Sequence, residues 1–184
     1  MNTEIPPNAR NDELLVIRCQ LGERDAFEIL ITRWHEPIWR YLRRLADSDH
    51  TASDMAQDTW VKVMRGIANL NEPASLRPWL FGIARRVAMD RLRRKYADLT
   101  EPDTALEELA ATEPEPDLSF ELAAMESKID SLPLRERETL TLFYLRELRI
   151  EEIATLLGVP AGTVKSRLHR ARRQLRNTLI GDNS

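Results

Sequence analysis

The sequence has little of the chemistry that builds disulfides, metal sites or membrane spans. Its 184 residues include one cysteine, Cys19, so neither an internal disulfide nor a CxxC metal or redox site can form. The three histidines, His35, His50 and His169, are far apart, and none begins an HExxH motif. No run approaches the ~18 apolar residues of a membrane helix, and the N-terminus lacks a basic-then-apolar signal pattern. We therefore expect a soluble cytoplasmic protein without a metal ion or cofactor.

Glycine and alternating apolar patterns are also scarce. The chain has six glycines, lacks alternating β-branched runs, and repeats its apolar residues at three- and four-residue steps. An apolar fraction of 42% is enough to build a packed core. No nucleophile lies beside a candidate general base in the sequence. The only pattern that would favour carboxylate catalysis is a pair of acids one helical turn apart. These features predict an all-α fold and disfavour an enzyme.

The net charge of −3 conceals three blocks whose net charges alternate in sign. Residues 81–96 carry six basic side chains and one acidic, residues 97–127 carry ten acidic and none basic, and residues 128–184 carry eleven basic and seven acidic. Two basic blocks around an acidic one are typical of two polyanion-binding modules joined by a spacer. Solvated helix faces would give similar runs, so charge alone leaves both interpretations open.

Apolar periodicity and turn residues divide the chain into helices. Gly22 and Gly158 are helix stops, Pro37 predicts a kink, and the segment from Thr51 to Asp54 fits a capping box. Three prolines among the acids of residues 97–118 predict a mobile linker. The predicted helices cover about 13–21, 25–46, 51–67, 79–95, 119–131, 133–148, 150–157 and 161–179, with a loop over 69–78.

The strongest functional pattern lies near the C-terminus. A short helix, a turn at Gly158 and an arginine-rich second helix are typical of a helix-turn-helix, whose second helix enters the DNA major groove. On a helical wheel, one apolar stripe must pack on the rest of the domain: Val164, Leu168, Ala171, Leu175 and Leu179. The candidate DNA-facing residues lie opposite this stripe or along its borders: Thr163, Lys165, Ser166, Arg167, His169, Arg170, Arg172, Arg173 and Arg176.

The position of these residues along the helix predicts their roles. Ser166 and Arg170 lie nearer the N-terminal end, where side chains reach base edges, so we expect them to read bases. We expect Arg173 and Arg176 to contact phosphates. The alternative is a basic surface helix on an ordinary helical bundle.

A second basic surface is predicted on the helix after Pro78. Its apolar sector comprises Leu80, Ile83, Ala84 and Val87, and three cations project from the other side: Arg85, Arg86 and Arg93. Trp79, Phe81 and Tyr96 bracket them. Cations interleaved with aromatic rings suit a single nucleic-acid strand, because rings stack on bases and cations follow the backbone. Core positions at the start of the helix are the alternative for Trp79 and Phe81.

A third group of polar residues lies on the helix predicted at 51–67. It comprises Asp54, Gln57, Asp58, Trp60, Val61 and Arg65. A solvated helix face would explain the charged members, and a core position would explain Trp60.

Five motifs of the chain, taken together, resemble one family. They are Ala26-Phe-Glu, Asp54-Met-Ala-Gln-Asp-Thr-Trp, Arg77-Pro-Trp-Leu-Phe-Gly-Ile-Ala-Arg, Asp90-Arg-Leu-Arg-Arg and Gly162-Thr-Val-Lys-Ser-Arg-Leu-His-Arg-Ala-Arg. Their order and spacing are similar to those of the extracytoplasmic-function group of bacterial RNA polymerase sigma factors, over about residues 25–179. The chain departs from the family at Arg149, where a capping serine or threonine is usual, so we expect a loosely started helix there.

The resemblance implies two small helical domains. Residues 10–96 would be sigma domain 2, which grips the clamp helices of core RNA polymerase and opens the −10 promoter element. Residues 97–118 would be the acidic linker, directed toward the RNA exit path. Residues 119–180 would be sigma domain 4, which contacts the polymerase flap and reads the −35 element through its helix-turn-helix.

The resemblance also implies roles for individual residues. It assigns polymerase binding to Asp54, Gln57, Asp58, Trp60, Val61 and Arg65. Contacts to the −10 element fall to Asn71, Ser75, Trp79, Arg85, Arg86 and Arg93, where the loop over 70–76 would capture an unpaired base. The −35 element falls to the cationic helix described above. An anti-sigma factor would control the protein, and could hold it at the inner membrane.

Two other function classes remain open at this point. In a one-component regulator, the first domain would sense a ligand or dimerise, and the helix-turn-helix alone would bind DNA. The basic, aromatic-flanked helix over 79–95 argues against this class, because a sensor domain has no need of it. A metal nuclease would need a ligand cluster that the sequence lacks.

Overall fold

The computed structural model describes residues 7–97 and 128–181, which are helical apart from short turns. The predicted linker and most of the helix predicted at 119–131 lie outside the described residues, as does any side chain beyond residue 177. Within the described ranges, no helix is both long and apolar enough to cross a membrane.

The first domain is built from four helices. Two 3₁₀ turns, Ile67–Asn69 and Pro73–Ser75, connect the last two of them. The helices are α1 (Pro7–Gln20), α2 (Arg24–Arg43), α3 (Asp49–Gly66) and α4 (Leu76–Ala97). The helix α2 packs against α3 and α4, because its apolar positions recur at helical spacing and face the same core.

An aromatic cluster fills the centre of this domain. Phe81 is fully buried, and its ring meets Tyr41 edge-on at a centroid distance of 5.4 Å and Trp34 at 6.4 Å. The alternative in which Phe81 is a core residue is therefore confirmed. Such perpendicular ring pairs stabilise a core beyond the effect of area burial alone.

Helix boundaries differ from the sequence prediction where local hydrogen bonds decide them. The helix α3 begins after Ser48, whose hydroxyl accepts from the Thr51 backbone N–H, so the predicted capping box at Thr51 is wrong. The helix α1 begins at Pro7 instead of residue 13, and α4 begins at Leu76 with Pro78 in its first turn, where no intrahelical donor is lost. The helix α2 continues through Pro37.

Within residues 128–181, a short helical segment over 128–130 precedes the three helices of the second domain. They are α5 (Leu134–Leu140), which continues into a π-helical turn (Thr141–Leu145), α6 (Ile150–Leu157) and α7 (Ala161–Gly181). The predicted regular helix to residue 148 is wrong, because the wider turn intervenes and Glu147 has a positive φ of 53°. After this turn, the Leu148 N–H donates to the Leu142 carbonyl at 3.0 Å, and both side chains are buried.

Gly158 ends α6 as predicted. Its φ of +67° is in the left-handed region, which glycine adopts without steric cost, and the Val159 N–H closes the end of the helix on the Ala154 carbonyl at 3.0 Å. This turn sets the angle between the two helices of the predicted helix-turn-helix.

The two domains pack against each other through a continuous core. One buried cluster extends from the first domain into the second, where it includes Leu142, Leu148, Ile153 and Val164. The helix α4 contacts α6 directly. The second domain therefore lies over one face of α4.

The first prediction concerns the aromatic cluster. Phe81→Ala leaves a cavity among Tyr41, Trp34 and the α4 backbone, so we expect it to lower the free energy of unfolding by about 3–5 kcal/mol. Trp79→Ala, at a half-buried position two residues earlier, should cost clearly less. Urea titrations followed by circular dichroism measure both values, and equal losses would contradict the assignment of Phe81 to the core.

Candidate nucleic-acid interface

The helix α7 has one buried and one exposed face, as predicted. Val164, Leu168 and Ala171 are almost fully buried, and Leu175 packs beside them. Residues opposite this stripe or on its border are exposed: Lys165, Ser166, His169, Arg170, Arg172, Arg173 and Arg176. Thr163 and Arg167 are half-buried, and burial lowers the pKa of Arg167. The exposed face is free of acids, so it can approach a polyanion without repulsion.

One cation of this face is held by a buried carboxylate. The Arg170 Nε donates to the Glu136 Oε1 at 3.0 Å, and the Glu136 side chain is only 12% exposed. The contact uses Nε, and the N–H groups of the two terminal guanidinium nitrogens can still donate to another acceptor. An arginine fixed in this way is suited to bidentate contacts, because its planar fork is already oriented.

The helix α5 carries three buried charges that sequence reasoning missed. Glu136, Arg137 and Glu138 are each less than a tenth exposed. The sequence Arg-Glu-Arg-Glu reads as a solvated surface, and only tertiary contacts show otherwise. Arg137 donates to the Asp130 carbonyl at 2.7 Å, while burial lowers its pKa. Charges this deep in a protein require partners, so each one fixes a neighbouring segment.

The cations of α4 divide into two groups. Arg86 and Arg93 are exposed, with Arg93 near Asp90 at 3.4 Å. Arg85 is half-buried, and its Nε donates to the Glu138 Oε1 at 3.0 Å. All three arginines lie on the polar side of α4, as predicted. Arg85, however, already has an anionic partner in the second domain.

The predicted strand-binding residues come together only in part. Ser75, Trp79, Arg85 and Arg86 line one cavity of about 570 Å³ between α4 and α6. Asn71 and Arg93 are exposed but lie outside its lining. The cavity has the aromatic and cationic walls that strand binding requires, although α6 forms its opposite side.

Trp79 is half-buried, so it belongs to the core as well as to the cavity. Its ring packs over Gly66 so closely that a Cβ there would lie 3.3 Å from the ring. The loop before it is anchored to α1, because the Gln20 side-chain amide donates to the carbonyls of Ile67 and Leu70 at 3.0 and 2.9 Å. These hydrogen bonds restrict the movement of the loop.

The polar group on α3 forms one surface, with one exception. Gln57, Asp58 and Arg65 are exposed, and Val61 and Asp54 are half-buried along the same face. The Asp54 Oδ2 also lies 3.6 Å from the Arg91 Nη2 on α4, which is an ion-pair distance. Together these five residues define the α3 face.

Trp60 does not belong to the α3 face, and its predicted place among the polymerase-binding residues is not supported, because its ring lies in the core. Its side chain is 7% exposed within the core, and its Nε1 donates to the His35 Nδ1 at 3.2 Å. Helical periodicity places it beside the core positions Ala56 and Val63, so the core alternative is the correct one.

The helix-turn-helix begins firmly in spite of Arg149 at its N-cap. The Glu152 carboxylate accepts from the Arg149 backbone N–H at 2.7 Å and from its guanidinium at 3.0 Å. The glutamate thus supplies the half of a capping box that does not depend on the cap side chain. The expectation of a loose start is wrong for this reason. Among the described residues, no group of three potential metal ligands occurs.

Family models match both domains. The Sigma-70 region 2 family matches residues 30–97, which include the α3 face and all of α4. The family described as Sigma-70, region 4 matches residues 122–175, which include α6 and α7 up to residue 175.

Two curated relatives are similar over nearly their whole length. The ECF RNA polymerase sigma factor SigW of Bacillus subtilis (strain 168) is 31% identical over 170 residues, covering 86% of this chain and 91% of that relative. The RNA polymerase sigma-H factor of Pseudomonas aeruginosa is 32% identical over 181 residues, covering 91% and 93%.

Solved structures share the fold. CnrH, in complex with the cytosolic domain of CnrY, aligns with a TM-score of 0.67 at 26% identity, covering 93% of this chain and 98% of that one. The sigma factor RpoE of Bartonella quintana, in complex with the anti-sigma factor NepR, aligns with a TM-score of 0.70 at 25% identity, covering 84% and 96%. With its two matched regions, its curated relatives and this fold, the chain belongs to the extracytoplasmic-function family of RNA polymerase sigma factors.

Proposed function

We propose that this sigma factor divides its contacts among three surfaces. The α3 face binds the clamp helices of core RNA polymerase, the loop over 70–76 with α4 holds the melted −10 strand, and α7 reads the −35 element. The observation that carries the proposal is the exposed, acid-free cationic face of α7, placed opposite a buried apolar stripe in a helix-turn-helix.

The domain limits follow from this division. Residues 10–96 act as sigma domain 2, residues 97–118 as the connecting linker, and residues 119–180 as sigma domain 4. The factor works in the cytoplasm and performs no catalysis itself. Family membership displaces the one-component regulator as an alternative, and no observation favours a nuclease.

An anti-sigma factor is the regulatory partner that we propose. Two of the similar structures are complexes of this kind: CnrH with the cytosolic domain of CnrY, and RpoE with the anti-sigma factor NepR. The similarity covers most of this chain, which supports a partner of this kind.

Reconstituted transcription tests the function directly. Purified core polymerase is incubated with this protein and a pool of genomic fragments from the source organism, and the RNA 5′ ends are sequenced. We expect a discrete set of start sites that share upstream elements. Start sites identical to those made by core polymerase alone would contradict the proposal.

The second prediction concerns the α3 face. Asp58→Arg reverses an exposed charge at its centre, so we expect affinity for core polymerase to fall about tenfold, or ~1.4 kcal/mol. Glu28→Arg, which reverses an exposed charge on α2 away from this face, is the matched control. Anisotropy titrations with labelled protein give both affinities. Equal affinities for the two variants would contradict the assignment of the α3 face to polymerase binding.

The third prediction concerns Arg170 and the carboxylate that orients it. Arg170→Ala should remove about 1–3 kcal/mol of discrimination at one base pair of the −35 element, and Glu136→Gln should weaken the same preference. Arg176→Ala should weaken binding to all sequences alike and reduce the salt dependence by about one charge.

A randomised −35 library, transcribed at two salt concentrations, separates these effects. The assignment is reversed if Arg176→Ala alters a single base preference while Arg170→Ala lowers every promoter equally. Unchanged selectivity in Glu136→Gln would show that the ion pair does not orient the guanidinium.

A further inference from the structure

We infer that Gln20, on α1, is a positioning residue for the loop over 70–76, and that its side-chain amide governs which −10 sequences this loop accepts. The inference rests on the proposed assignment of the loop to the −10 element, and the experiment below separates the two. The family match for the first domain begins at residue 30, so Gln20 and the rest of α1 lie outside it.

The central contact is one amide that bonds two carbonyls at the end of α3. The Gln20 Nε2 donates to the Ile67 carbonyl at 3.0 Å and to the Leu70 carbonyl at 2.9 Å, which uses both of its N–H groups. These carbonyls lie in and just after the 3₁₀ turn that follows α3, where backbone oxygens lack the partners of a helix interior. The Ile67 carbonyl also accepts from the Leu70 N–H at 3.1 Å, so α1 and the turn itself hold the same backbone atom.

The bond to Leu70 acts on the first exposed residue of the loop. Leu70 is buried, Asn71 is exposed, and one planar peptide unit joins them. Because the Leu70 carbonyl and the Asn71 N–H belong to the same plane, a bond that holds this carbonyl also sets the direction in which the chain leaves the core. Asn71 is among the residues assigned to the −10 element, so Gln20 influences base contact without touching the base.

The tip of the loop is held together by its own residues. The Ser75 N–H donates to the Glu72 carbonyl at 2.9 Å, and the Ser75 hydroxyl donates to the Glu72 carboxylate at 3.1 Å. Leu76 is then buried at the start of α4. The tip is therefore a small closed unit, and its placement depends on how the chain is anchored at Leu70 and Leu76.

Gln20 itself has a firm support, because it is the last residue of α1. Gly22 turns the chain with a φ of +82°, and the Glu23 N–H donates to the Arg18 carbonyl at 3.2 Å. The Arg18 Nε also donates to the Glu23 carboxylate at 2.7 Å. One turn earlier, Val16 is fully buried and fixes α1 against the domain core. A side chain on a rigid helix positions a functional loop more precisely than a side chain from another loop.

Loss of this contact should change the loop without unfolding the domain. Gln20 is half-buried and both of its bonds are partly buried, so water can reach the two carbonyls once the amide is removed. The loop would then adopt several positions while the packed helices keep theirs. We therefore expect altered discrimination among −10 sequences and an unchanged affinity of the α3 face for core polymerase.

Three substitutions at residue 20 separate the hydrogen bonds from the size of the side chain. Gln20→Met keeps the length and removes both bonds, and Gln20→Glu places a carboxylate against the two carbonyls. Gln20→Lys restores a donor at the end of a longer side chain. Asn11→Met removes an amide from an exposed position on the same helix and is the matched control.

Amide hydrogen exchange, followed by mass spectrometry, measures the loop in the free protein. We expect Gln20→Met to speed exchange in a peptide covering the loop by about fivefold, because the Leu70 and Ser75 N–H groups open more often. Exchange over α3 should match that of Asn11→Met. Wild-type exchange rates in the loop of Gln20→Met would overturn the inference.

Transcription by the holoenzyme from a library randomised in the −10 element measures base preference. Loss of a well-placed base contact changes discrimination by about fivefold or more. We expect Gln20→Met to reduce the ratio of the preferred to the next base by about fivefold at one −10 position, and Gln20→Glu to reduce it further. Gln20→Lys should return most of the ratio. Affinity for core polymerase and the ranking of −35 variants should equal those of Asn11→Met.

A purely structural role would give a different pattern. In that case Gln20→Met would lower every −10 variant by the same factor, or Gln20→Lys would perform no better than Gln20→Met. Either result contradicts the inference.

Asn71→Ala distinguishes this inference from the proposed function. If Asn71→Ala changes the −10 preference and Gln20→Met does not, the loop reads the −10 element as proposed and the role of Gln20 is wrong. If neither variant changes a preference that the wild-type protein shows, the assignment of the loop is wrong and the inference falls with it.

Discussion

Buried charge on α5 is the constraint on which the arrangement of the molecule depends. Glu136, Arg137 and Glu138 follow one another along a helix, so their side chains point in three directions about 100° apart. One accepts from Arg170 on α7, the next donates to the Asp130 carbonyl, and the third accepts from the first domain. A buried ion without its partner costs several kcal/mol, so these contacts fix α5 toward three neighbours at once. The presentation of α7 and the packing of the two domains thus have a common origin.

The cationic surfaces of the first domain are suited to more than one anion. An arginine that can hold a phosphate can hold a carboxylate with the same geometry, because both offer oxygen acceptors to the guanidinium fork. This equivalence lets Arg85 bind within the chain or outside it. Arg146 shows the opposite case: burial and the nearby Arg40 and Arg44 lower its pKa to about 10, and its guanidinium lies 5.9 Å from the centre of the Phe81 ring. It remains charged at neutral pH, and its role is packing between the domains.

The sequence was sufficient for the helices and for the stripe on α7, because both depend on local periodicity that tertiary contacts reinforce. The sequence was insufficient wherever two local structures were equally compatible with it and a contact with another part of the chain decided between them. Ser48 and Thr51 are both competent caps, and only the hydroxyl-to-amide bond shows which one is used. Trp60 has a helical position compatible with the surface or the core, and the His35 contact and its burial settle the matter. The two carboxylates of α5 look solvent-exposed in the sequence because their partners are distant along the chain: Arg170 is 34 residues from Glu136, and Arg85 is 53 residues from Glu138.

The contacts between the two domains differ in how much they stabilise the packing. The rim contact between Arg77 and Glu147 is well exposed at the glutamate, so water and salt screen it and it contributes little. The buried Glu138 contact supplies specificity more than affinity, since its attraction is largely offset by the loss of hydration. The polar contacts therefore define how α5 sits on the first domain, while the buried apolar cluster shared by the two domains supplies most of the attraction.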